Sequence, residues 1–359
     1  MRQHYLDNLR WATALLVLAY HVCYLFNGVG ILGNIPGAPN LIACDWFAAA
    51  VYPWFMVLLF LVAGMSSRFA LEKRTPKEFL KERTAKLLVP STLGLLVVHW
   101  ITGYLNIKLG GGLEYIPTFL IYPISALSGT GPLWFAQMLW LFSFIPALVK
   151  KLDRGDQLWT WCGRCSVWVW IPAGFLLLWT ASQVGNLPVL TMYRFGIYLV
   201  AFLLGYFVFS HGEMTDALTK AAVPLVCLAL AAGAGFLLRY GGTNYTAPAC
   251  LQSYLTNLYA WLAVLALLGL FRRWFDRTNA VCTYLTGVSF GLYVLHYPVF
   301  MCVGTLLTTY FAFPAAINYL ILAAVGTALT FAAYEVLRRI PVISFLVLGQ
   351  KKADTKKTI

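Results

Sequence analysis

Long apolar runs separated by short polar connections dominate the chain. A run of about 20 apolar residues is long enough to cross a hydrocarbon layer of ~30 Å. Ten runs approach that length, and we predict a transmembrane helix for each. They lie near residues 9–27, 46–67, 87–106, 132–149, 166–184, 192–210, 221–238, 251–271, 281–305 and 315–337. The pattern therefore predicts an all-α fold, a polytopic membrane bundle of about ten helices.

The stretch 113–128 (LEYIPTFLIYPISALS) is apolar as well, but it is short and is interrupted by Pro117 and Pro123. We predict a loop or a re-entrant piece there rather than a further span. The wider segment 108–131 combines glycine, proline and aromatic residues with almost no charge. Such a segment can hold an acceptor by stacking against sugar rings at the membrane surface, or it can simply connect two helices.

The composition of the whole chain agrees with a membrane protein. Of its 359 residues, 60% are apolar and only 11% are charged, which is far from the usual composition of a soluble domain. We expect one membrane domain, residues 1–349, followed by a short basic cytoplasmic tail, residues 350–359. The first apolar run is as long as a span and lacks a small-x-small cleavage site, so we expect it to be kept as the first helix.

The net charge of +13 is distributed unevenly along the chain. If the N-terminus is cytoplasmic, Lys108, Arg194 and Arg239 are the only basic residues among the 26 that fall on the outer side. This bias follows the positive-inside rule. It predicts that both termini are cytoplasmic, and it accounts for the charge without a nucleic-acid partner.

Eight cysteines are scattered along the chain and indicate no disulfide framework. Cys162 and Cys165 have the spacing of a thioredoxin-like redox site, but they lie at the predicted cytoplasmic edge of the fifth span instead of on a strand-to-helix turn. We interpret the spacing as coincidence. A zinc site needs two more ligands nearby, so we predict no metal.

The arm 68–90 is strongly basic and contains complete signals for the start of a helix. Thr75 is the N-cap, Pro76 occupies the first helical position, and Glu78 completes a capping box. The positive charge has two interpretations that the sequence leaves open. It can set the topology and attract anionic membrane lipids, or it can bind a ligand rich in phosphates.

Ionisable side chains inside apolar spans are costly, so each suggests a function and a partner. They are Arg10, His21, His99, Arg194, His296 and Glu335. Arg10 and His21 are separated by about three helical turns, so both leave the same face of the first helix about 16 Å apart along its axis. Arg10 lies at the cytoplasmic interface, where it can also reach the headgroups or pair with Asp7.

His21, His99 and His296 fall in the same middle-to-outer layer of the membrane. Histidine is well suited to exchanging protons at neutral pH, although a buried imidazole can also be satisfied structurally by a neighbouring carbonyl. Glu335 lies at about the depth of Arg10 and is a candidate countercharge for it. This arrangement suits transmembrane group transfer, but a proton-coupled transporter or flippase would show many of the same features.

Several blocks together resemble the membrane acyltransferase-3 family. The first is Arg10 and His21 with ten intervening residues, preceded by Tyr-Leu-Asp-Asn-Leu. The others, in the order of the family, are Phe60–Met65, Phe79–Pro90, Gly131–Phe135, Ser289–Val299, Tyr334–Pro341 and Leu348–Gly349. Ala63 stands where the family usually has serine, and the common Arg-x-x-Arg of the arm here reads Arg83-x-x-Lys86. The resemblance runs from residue 5 to about 349, and it is closest to stand-alone, glucan-modifying members.

The resemblance implies a function. It implies an integral, multi-pass protein of a bacterial plasma membrane that transfers an acyl group, often acetyl, from cytoplasmic acyl-CoA. The acceptor would be a hydroxyl of a carbohydrate, glycolipid or other molecule at or beyond the outer face. A transporter or flippase, and a non-catalytic sensor, remain alternatives. The resemblance does not predict which of these acceptors is used, and it does not predict the oligomeric state.

The same resemblance implies roles for individual residues. His21 would be the catalytic base and Arg10 a donor-site cation, while Arg83 and Lys86 would help to hold the phosphates of coenzyme A. A lysine keeps the charge but loses the bidentate geometry of arginine, so Lys86 differs from the family at this point. The candidates for acceptor positioning and secondary site roles are His296, Trp134, His99 and Glu335.

Overall fold

The structure, a computed structural model of the chain, describes residues 3–153, 155–187 and 193–350. These residues fold into helices and short connections, and no strand occurs in the described part of the chain. The one β-type backbone pairing in the described part is an isolated antiparallel bridge between Asn186 and Arg194. The prediction of an all-α fold is confirmed. The predicted tail lies outside the described residues, apart from Gln350.

Besides one short 3₁₀ turn, Leu113–Tyr115, the described residues form fifteen helices, numbered here in chain order. They are α1 His4–Leu25, α2 Ile42–Leu71, α3 Pro76–Leu109, α4 Thr118–Ser128, α5 Gly131–Leu152, α6 Gln157–Arg164, α7 Val167–Ala181, α8 Phe195–Phe209, α9 Gly212–Lys220, α10 Ala222–Tyr240, α11 Pro248–Leu251, α12 Tyr254–Trp274, α13 Ala280–Tyr310, α14 Ala315–Leu337 and α15 Pro341–Leu348.

Seven of the described helices are long and apolar enough to cross a membrane: α2, α3, α5, α10, α12, α13 and α14. Two further pairs reach the required length together but are bent, by 111° between α6 and α7 and by 98° between α8 and α9. Counting each pair as one span gives nine. The predicted count of ten is therefore not confirmed.

Helix α1 accounts for the difference between nine and ten spans. It has 22 residues, enough to cross a bilayer, but polar residues such as Arg10 and His21 interrupt its apolar sequence. If α1 also spans, the number becomes ten, and an even number places both termini on the same side. The cytoplasmic position of the termini remains a prediction.

The segment 113–128 is mostly helical, so the loop interpretation is wrong, but it is not among the candidate spans, as predicted. A re-entrant piece stays a prediction. Helix α4 contains 11 of its residues and is about 16 Å long, which is too short to cross a membrane. It packs on α3, where a Cβ on Gly103 would overlap the backbone carbonyl of Ser125. Phe119 on α4 remains 79% exposed. The two prolines suggested an irregular segment. Close backbone contact with α3 stabilises it as a helix instead.

The chain divides into two compact units. Unit 1 consists of Met1–Thr13, Ala49–Glu82 and Met138–Thr283, and unit 2 consists of Ala14–Ala48, Arg83–Gln137 and Tyr284–Ile359. Helices α1, α2, α3, α5 and α13 contribute residues to both. Every contact described below lies within one unit.

Glycine residues bring α2 and α8 into direct backbone contact in unit 1. A Cβ on Gly64 would overlap the carbonyl oxygen of Phe202, and a Cβ on Gly205 would overlap that of Leu61. The hydrophobic effect does little to associate helices within a bilayer, so close approach at small residues is a main source of packing there. The two glycines therefore fix how α2 crosses α8.

The predicted start of the helix within the basic arm is confirmed in unit 1. The backbone N–H of Thr75 donates to the Glu78 carboxylate over 3.0 Å, and the backbone N–H of Glu78 donates to the Thr75 hydroxyl over 3.3 Å. Helix α3 begins at Pro76, as the capping box indicated. The helix that carries the basic residues is thus fixed by local sequence.

A buried arginine anchors the connection after α5 in unit 1. Arg68 pairs with Asp156 at 2.9 Å, and Lys150 pairs with the same carboxylate at 2.9 Å. The Arg68 guanidinium also lies 4.2 Å from the centre of the Trp159 ring. The Arg68 hydrogen bond, reinforced by that of Lys150, lowers the pKa of Asp156 to about 2. This network holds the turn at the start of α6.

The same region explains the thioredoxin-like spacing of Cys162 and Cys165. Both are free thiols, and between them Gly163 faces the His211 ring so closely that a Cβ would overlap it. The His211 ring stacks on Trp159 with 3.8 Å between the ring centres. The glycine of the motif therefore makes room for this stack, and the interpretation of the spacing as coincidence stays a prediction.

In unit 2, the C-terminal half of α1 packs against α13 and α14. Leu18 and Val22 of α1, with Phe26 just after it, form a buried cluster with residues that include Phe300. The Tyr319 hydroxyl of α14 donates to the Phe26 carbonyl over 3.1 Å. The cluster holds α1 and α13 side by side, and these two helices carry His21 and His296.

Helix α15 closes on the basic arm in unit 2. It ends at Gly349, whose φ of +63° is unfavourable for residues with a side chain. A Cβ on Gly349 would lie 2.9 Å from the Lys86 Cα and 3.0 Å from the Ala85 carbonyl oxygen. The end of α15 therefore lies directly on the turn of α3 that carries Lys86.

We expect Gly64→Ala to lower the thermal stability of the protein, because the added methyl must push α2 and α8 apart at a backbone contact. Overpacking of this kind costs about 1–3 kcal/mol. The measurement is the unfolding temperature in detergent. Gly235→Ala in α10 is the matched control, since its nearest neighbour would be the Leu255 side chain at 3.8 Å. Equal unfolding temperatures for the two variants would contradict this account.

The Asp156 pairs predict a pH-dependent contribution to stability. The folded-state pKa lies below the ordinary 3.8, so the contribution is complete above about pH 4 and is lost as the pH falls towards 2. Asp156→Asn removes the charge and tolerates the backbone φ of +51°. The unfolding temperatures of wild type and Asp156→Asn should therefore differ near neutral pH and converge at acidic pH. A difference that persists undiminished to about pH 2 would contradict the assignment.

Candidate active site

His21 lies on α1 in unit 2 and is partly exposed. Three tyrosine rings surround its imidazole at edge-to-face angles, with ring centres at 5.1 Å for Tyr20, 5.8 Å for Tyr24 and 5.0 Å for Tyr297. The fourth ring beside it is that of His296. This aromatic cage restricts how the His21 ring can turn, while leaving part of the side chain accessible.

His296 contacts His21 directly, although 275 residues separate them in the chain. The Nε2 atom of His296 lies 3.1 Å from the Nδ1 atom of His21, and the ring centres are 4.8 Å apart. His296 itself is 0% exposed. The structure therefore brings two of the three predicted histidines together as one pair.

Backbone carbonyls decide which nitrogen of His296 carries the hydrogen. Its Nδ1 atom lies 2.8 Å from the Tyr293 carbonyl oxygen and 3.2 Å from that of Leu292. A carbonyl only accepts hydrogen bonds, so Nδ1 must be the donor. In the neutral ring the Nε2 atom of His296 then has a lone pair, and this lone pair points towards His21.

The same reasoning gives the tautomer of His21. Its Nδ1 atom lies 2.9 Å from the Val17 carbonyl oxygen and 3.1 Å from the His296 Nε2 atom, both of which are acceptors. The hydrogen of His21 is therefore on Nδ1, where these two acceptors share it. The Nε2 atom of His21 is left with the lone pair, which makes it the basic nitrogen of the pair.

His99 lies in unit 2 but has a different environment. Its Nε2 atom lies 2.8 Å from the Val294 carbonyl oxygen, and its Nδ1 atom lies 3.2 Å from that of Gly129. The side chain is 0% exposed. Both nitrogens of the third predicted histidine thus face the protein backbone and not a substrate.

Trp134 lies near the start of α5, a few residues after the break that separates α4 from α5. Gly131 at this break has a φ of +43°, and a Cβ there would lie 3.1 Å from the Tyr297 ring. The hydroxyl of Tyr293 donates to the Pro132 carbonyl. The Trp134 side chain is buried at the start of the regular part of α5. The break therefore places Trp134 near the turn of α13 that carries His296.

Arg83 and Lys86 lie at the start of the unit 2 part of α3. Residues Thr84–Leu88 form a π-helical turn, which contains one residue more than a regular turn. Lys86 is exposed on this turn and Arg83 is half-buried just before it. π-helical turns occur often at functional sites. Both side chains remain candidates for binding phosphates.

Arg10 and Glu335 each have a partner close by in the chain. Arg10, in unit 1, pairs with Asp7 at 3.0 Å and donates to the Ser66 hydroxyl, while 41% of its side chain is exposed. Its predicted pairing with Asp7 is confirmed. Glu335, in unit 2, pairs with Arg338 at 2.8 Å and accepts a hydrogen bond from Tyr284 at 3.1 Å. The countercharge of Glu335 is therefore Arg338, three positions further along the chain.

Sequence reasoning missed the tyrosines of the cage. Tyr20 and Tyr24 lie one residue before and three residues after His21, and on α13 Tyr293 and Tyr297 flank His296 with the opposite spacing, three residues before it and one after. Helical spacing alone placed these rings beside the histidines. The signal was present in both motifs, but it shows a cage only after the two helices are known to pack together.

The arrangement can accept a proton at the His21 Nε2 atom and stabilise the resulting imidazolium at Nδ1. A partly exposed base supported by a buried acceptor is typical of general-base catalysis. No group of three or more histidine, cysteine, aspartate or glutamate residues that could hold a metal ion occurs among the residues the structure describes.

Comparison with known proteins gives a consistent match over nearly the whole chain. A family model described as an acyltransferase domain matches residues 3–335. Proteins named glucans biosynthesis protein C, from Escherichia coli (strain K12) and Shigella boydii serotype 4 (strain Sb227), are each 21% identical to this chain over 376 residues. These matches cover 97% of this chain and 95% of each relative. No solved structure matches.

The tautomers can be tested by nitrogen NMR of protein labelled with ¹⁵N-histidine. We expect the His21 signals to show a protonated Nδ1 and an unprotonated Nε2, because two acceptors face Nδ1. His296→Ala should shift the His21 signals, and His4→Ala should leave them unchanged. An Nε2-protonated His21 in the wild type would contradict the hydrogen-bond assignment.

Proposed function

Because the chain belongs to the membrane acyltransferase-3 family, we propose that it is an O-acyltransferase that uses acyl-CoA and acylates a carbohydrate hydroxyl. Family membership makes it an integral membrane acyltransferase. The observation that supports the more specific proposal is the His21–His296 pair. This pair presents a basic nitrogen from a partly exposed ring, as deprotonation of a hydroxyl requires.

The donor is proposed to bind by its phosphates at the basic arm. Arg83 and Lys86 lie on or beside the π-helical turn of α3, and Gly349 packs against the backbone of that turn. Phosphate oxygens form strong charge-assisted hydrogen bonds with guanidinium and ammonium groups. Arg10 is proposed as a further donor-side cation because it lies three helical turns before His21 on α1. Attraction of the arm to anionic lipids is compatible with this role.

His21 is proposed as the general base. Its Nε2 atom takes the proton of the acceptor hydroxyl while the hydroxyl oxygen forms a bond to the thioester carbonyl carbon. The carbon–sulfur bond then breaks, the ester is released, and the thiolate of coenzyme A takes up the proton from His21. During the reaction the imidazolium is stabilised because its Nδ1–H donates to the His296 Nε2 atom and the Val17 carbonyl.

The acceptor is proposed to be a carbohydrate. Two observations support it: the relatives are named for glucan biosynthesis, and aromatic rings surround His21. Of the nearby rings, Tyr24 is partly exposed and is proposed to stack on a sugar ring, whereas Tyr297 and Trp134 are buried and are proposed only to shape the site. The aromatic segment 108–131 is a further candidate surface. Acetyl is the proposed acyl group, with succinyl as the other donor to be tested. The proposed location of the protein is a bacterial plasma membrane, with the acceptor on the outer side of this membrane.

The test uses purified full-length protein with acetyl-CoA and a glucose oligosaccharide as the probe acceptor. We expect free coenzyme A to appear together with an acetylated oligosaccharide, and succinyl-CoA is assayed in parallel. His21→Ala should lower kcat by roughly 10²–10⁴-fold, because it removes the base. His4→Ala, a histidine at the start of the same helix, is the matched control and should keep full activity.

Two outcomes would overturn the proposal. If folded His21→Ala retained full activity, the base would have to be another group. If the protein carried the oligosaccharide across proteoliposome membranes without releasing coenzyme A from either donor, the intramembrane histidines would act in transport instead. Mass spectrometry of surface glycans from cells with and without the protein identifies the natural acceptor by a lost acyl increment.

A further inference from the structure

Pro298 leaves one backbone carbonyl of α13 without the N–H that would normally donate a hydrogen bond to it within the helix. Pro298 lies inside this helix and has no N–H. In a regular helix that N–H would donate to the carbonyl oxygen four residues earlier, which here belongs to Val294. Inside a membrane such an oxygen has no water to bind, so it needs a donor from elsewhere in the protein.

His99 occupies the position of that missing donor. Its Nε2 atom lies 2.8 Å from the Val294 carbonyl oxygen, which is a normal hydrogen-bond distance. This distance is shorter than the 3.2 Å between His99 Nδ1 and the Gly129 carbonyl oxygen. Both partners only accept, so the closer contact indicates a hydrogen on Nε2. The imidazole therefore replaces the N–H that Pro298 lacks.

The position of Gly129 explains how the His99 ring is held. Gly129 lies at the break between α4 and α5, and a Cβ there would overlap the backbone carbonyl of His99. The absence of a side chain lets the break approach α3 closely. The His99 ring is then enclosed between this break and α13, and it is 0% exposed. It has no open side from which a substrate could reach either nitrogen.

The carbonyl that His99 holds belongs to the turn that orients His296. Tyr293, the residue before Val294, accepts a hydrogen bond from His296 Nδ1 at 2.8 Å. The Tyr293 side chain is fixed as well, because its hydroxyl donates to the Pro132 carbonyl. Two successive carbonyls of α13 are thus bound by two histidines. Without the first bond, the turn that sets the His296 tautomer would lose a fixed point.

We propose that His99 is a positioning residue for the acyl-transfer site, whose Nε2–H completes the α13 backbone at Val294 and so holds His296 in place against His21. This inference rests on the proposed function of the His21–His296 pair. It gives His99 a role that differs from acceptor binding, which the sequence had suggested. His99 acts on the reaction through the backbone of α13 and touches none of the reacting atoms.

Removing the proline provides a direct test. Pro298→Ala restores a backbone N–H, which can donate to the Val294 carbonyl and make His99 unnecessary there. Four full-length proteins are compared: wild type, His99→Ala, Pro298→Ala and the double variant. The assay is coenzyme A release from acetyl-CoA with a glucose oligosaccharide as the probe. His99→Ala should lower kcat at least about 10-fold with Pro298 present and less than about 3-fold with Pro298→Ala, as expected for coupled neighbours.

Two further variants separate positioning from direct chemistry. His99→Gln keeps a side-chain N–H of similar reach but cannot act as a base, so it should recover much of the activity that His99→Ala loses. The KM for acetyl-CoA should change little in any His99 variant, since the ring does not contact the donor. Pro53→Ala, which removes a proline from α2, should leave the effect of His99→Ala unchanged.

A readout that needs no activity accompanies the assay. His99→Ala should lower the unfolding temperature and shift the ¹⁵N signals of His21 and His296, and both effects should be smaller in the Pro298→Ala background. If wild type showed no acyl transfer but this coupling was present, the proposed function would fail and the positioning role would stand. Equal effects of His99→Ala in both backgrounds would overturn the positioning role, whatever the activity of the wild type. Loss of activity in His99→Gln as complete as in His99→Ala would also overturn it.

Discussion

The hydrogen bond between His21 and His296 is the interaction on which the proposed site depends. The His296 Nε2 atom can lie 3.1 Å from the His21 Nδ1 atom inside a membrane domain only if one nitrogen donates a hydrogen bond and the other accepts it. The backbone carbonyls of Tyr293 and Val17 impose that division, because each requires a hydrogen on the nearest ring nitrogen. The basic nitrogen of His21 is therefore selected by the backbone of two helices.

The backbone near this pair is irregular, and each irregularity has a compensating partner. Pro298 frees a carbonyl that His99 binds, and the break at Gly131 comes close to the Tyr297 ring. Unpaired backbone groups at membrane depth are costly, so non-helical backbone is expected only where protein groups or a cavity satisfy it. Two departures from regular helix in unit 2, at Pro298 and before α5, therefore lie beside the histidines.

Much of the fold followed from the sequence, because hydrophobic length and capping signals are local. The apolar runs predicted the all-α fold, and Thr75 with Glu78 predicted the start of α3. The count of ten spans was less secure, since two candidates are bent pairs and α1 carries polar residues. Helix α4 was missed because its stability comes from contact with Gly103 of α3, which no local pattern reveals.

The candidate site was predictable as a set of residues but not as an arrangement. Intramembrane cost singled out His21, His99 and His296, and the family resemblance assigned the base to His21, yet no pattern in the chain showed that His99 binds the backbone. Their roles separate only through tertiary contacts, such as the carbonyls on both sides of His99. Glu335 shows the same limit, because the depth comparison suggested Arg10 as its partner while local geometry supplies Arg338.

The packing of Gly349 on the arm has a consequence for the order of assembly during synthesis. The turn that carries Lys86 gains its contact with Gly349 from a residue made more than 260 positions later, and His296 is made 275 positions after His21. Contacts of such wide separation form only after most of the chain has been inserted. The first helices to be made therefore enter the membrane before the contacts of Lys86 and His21 are complete.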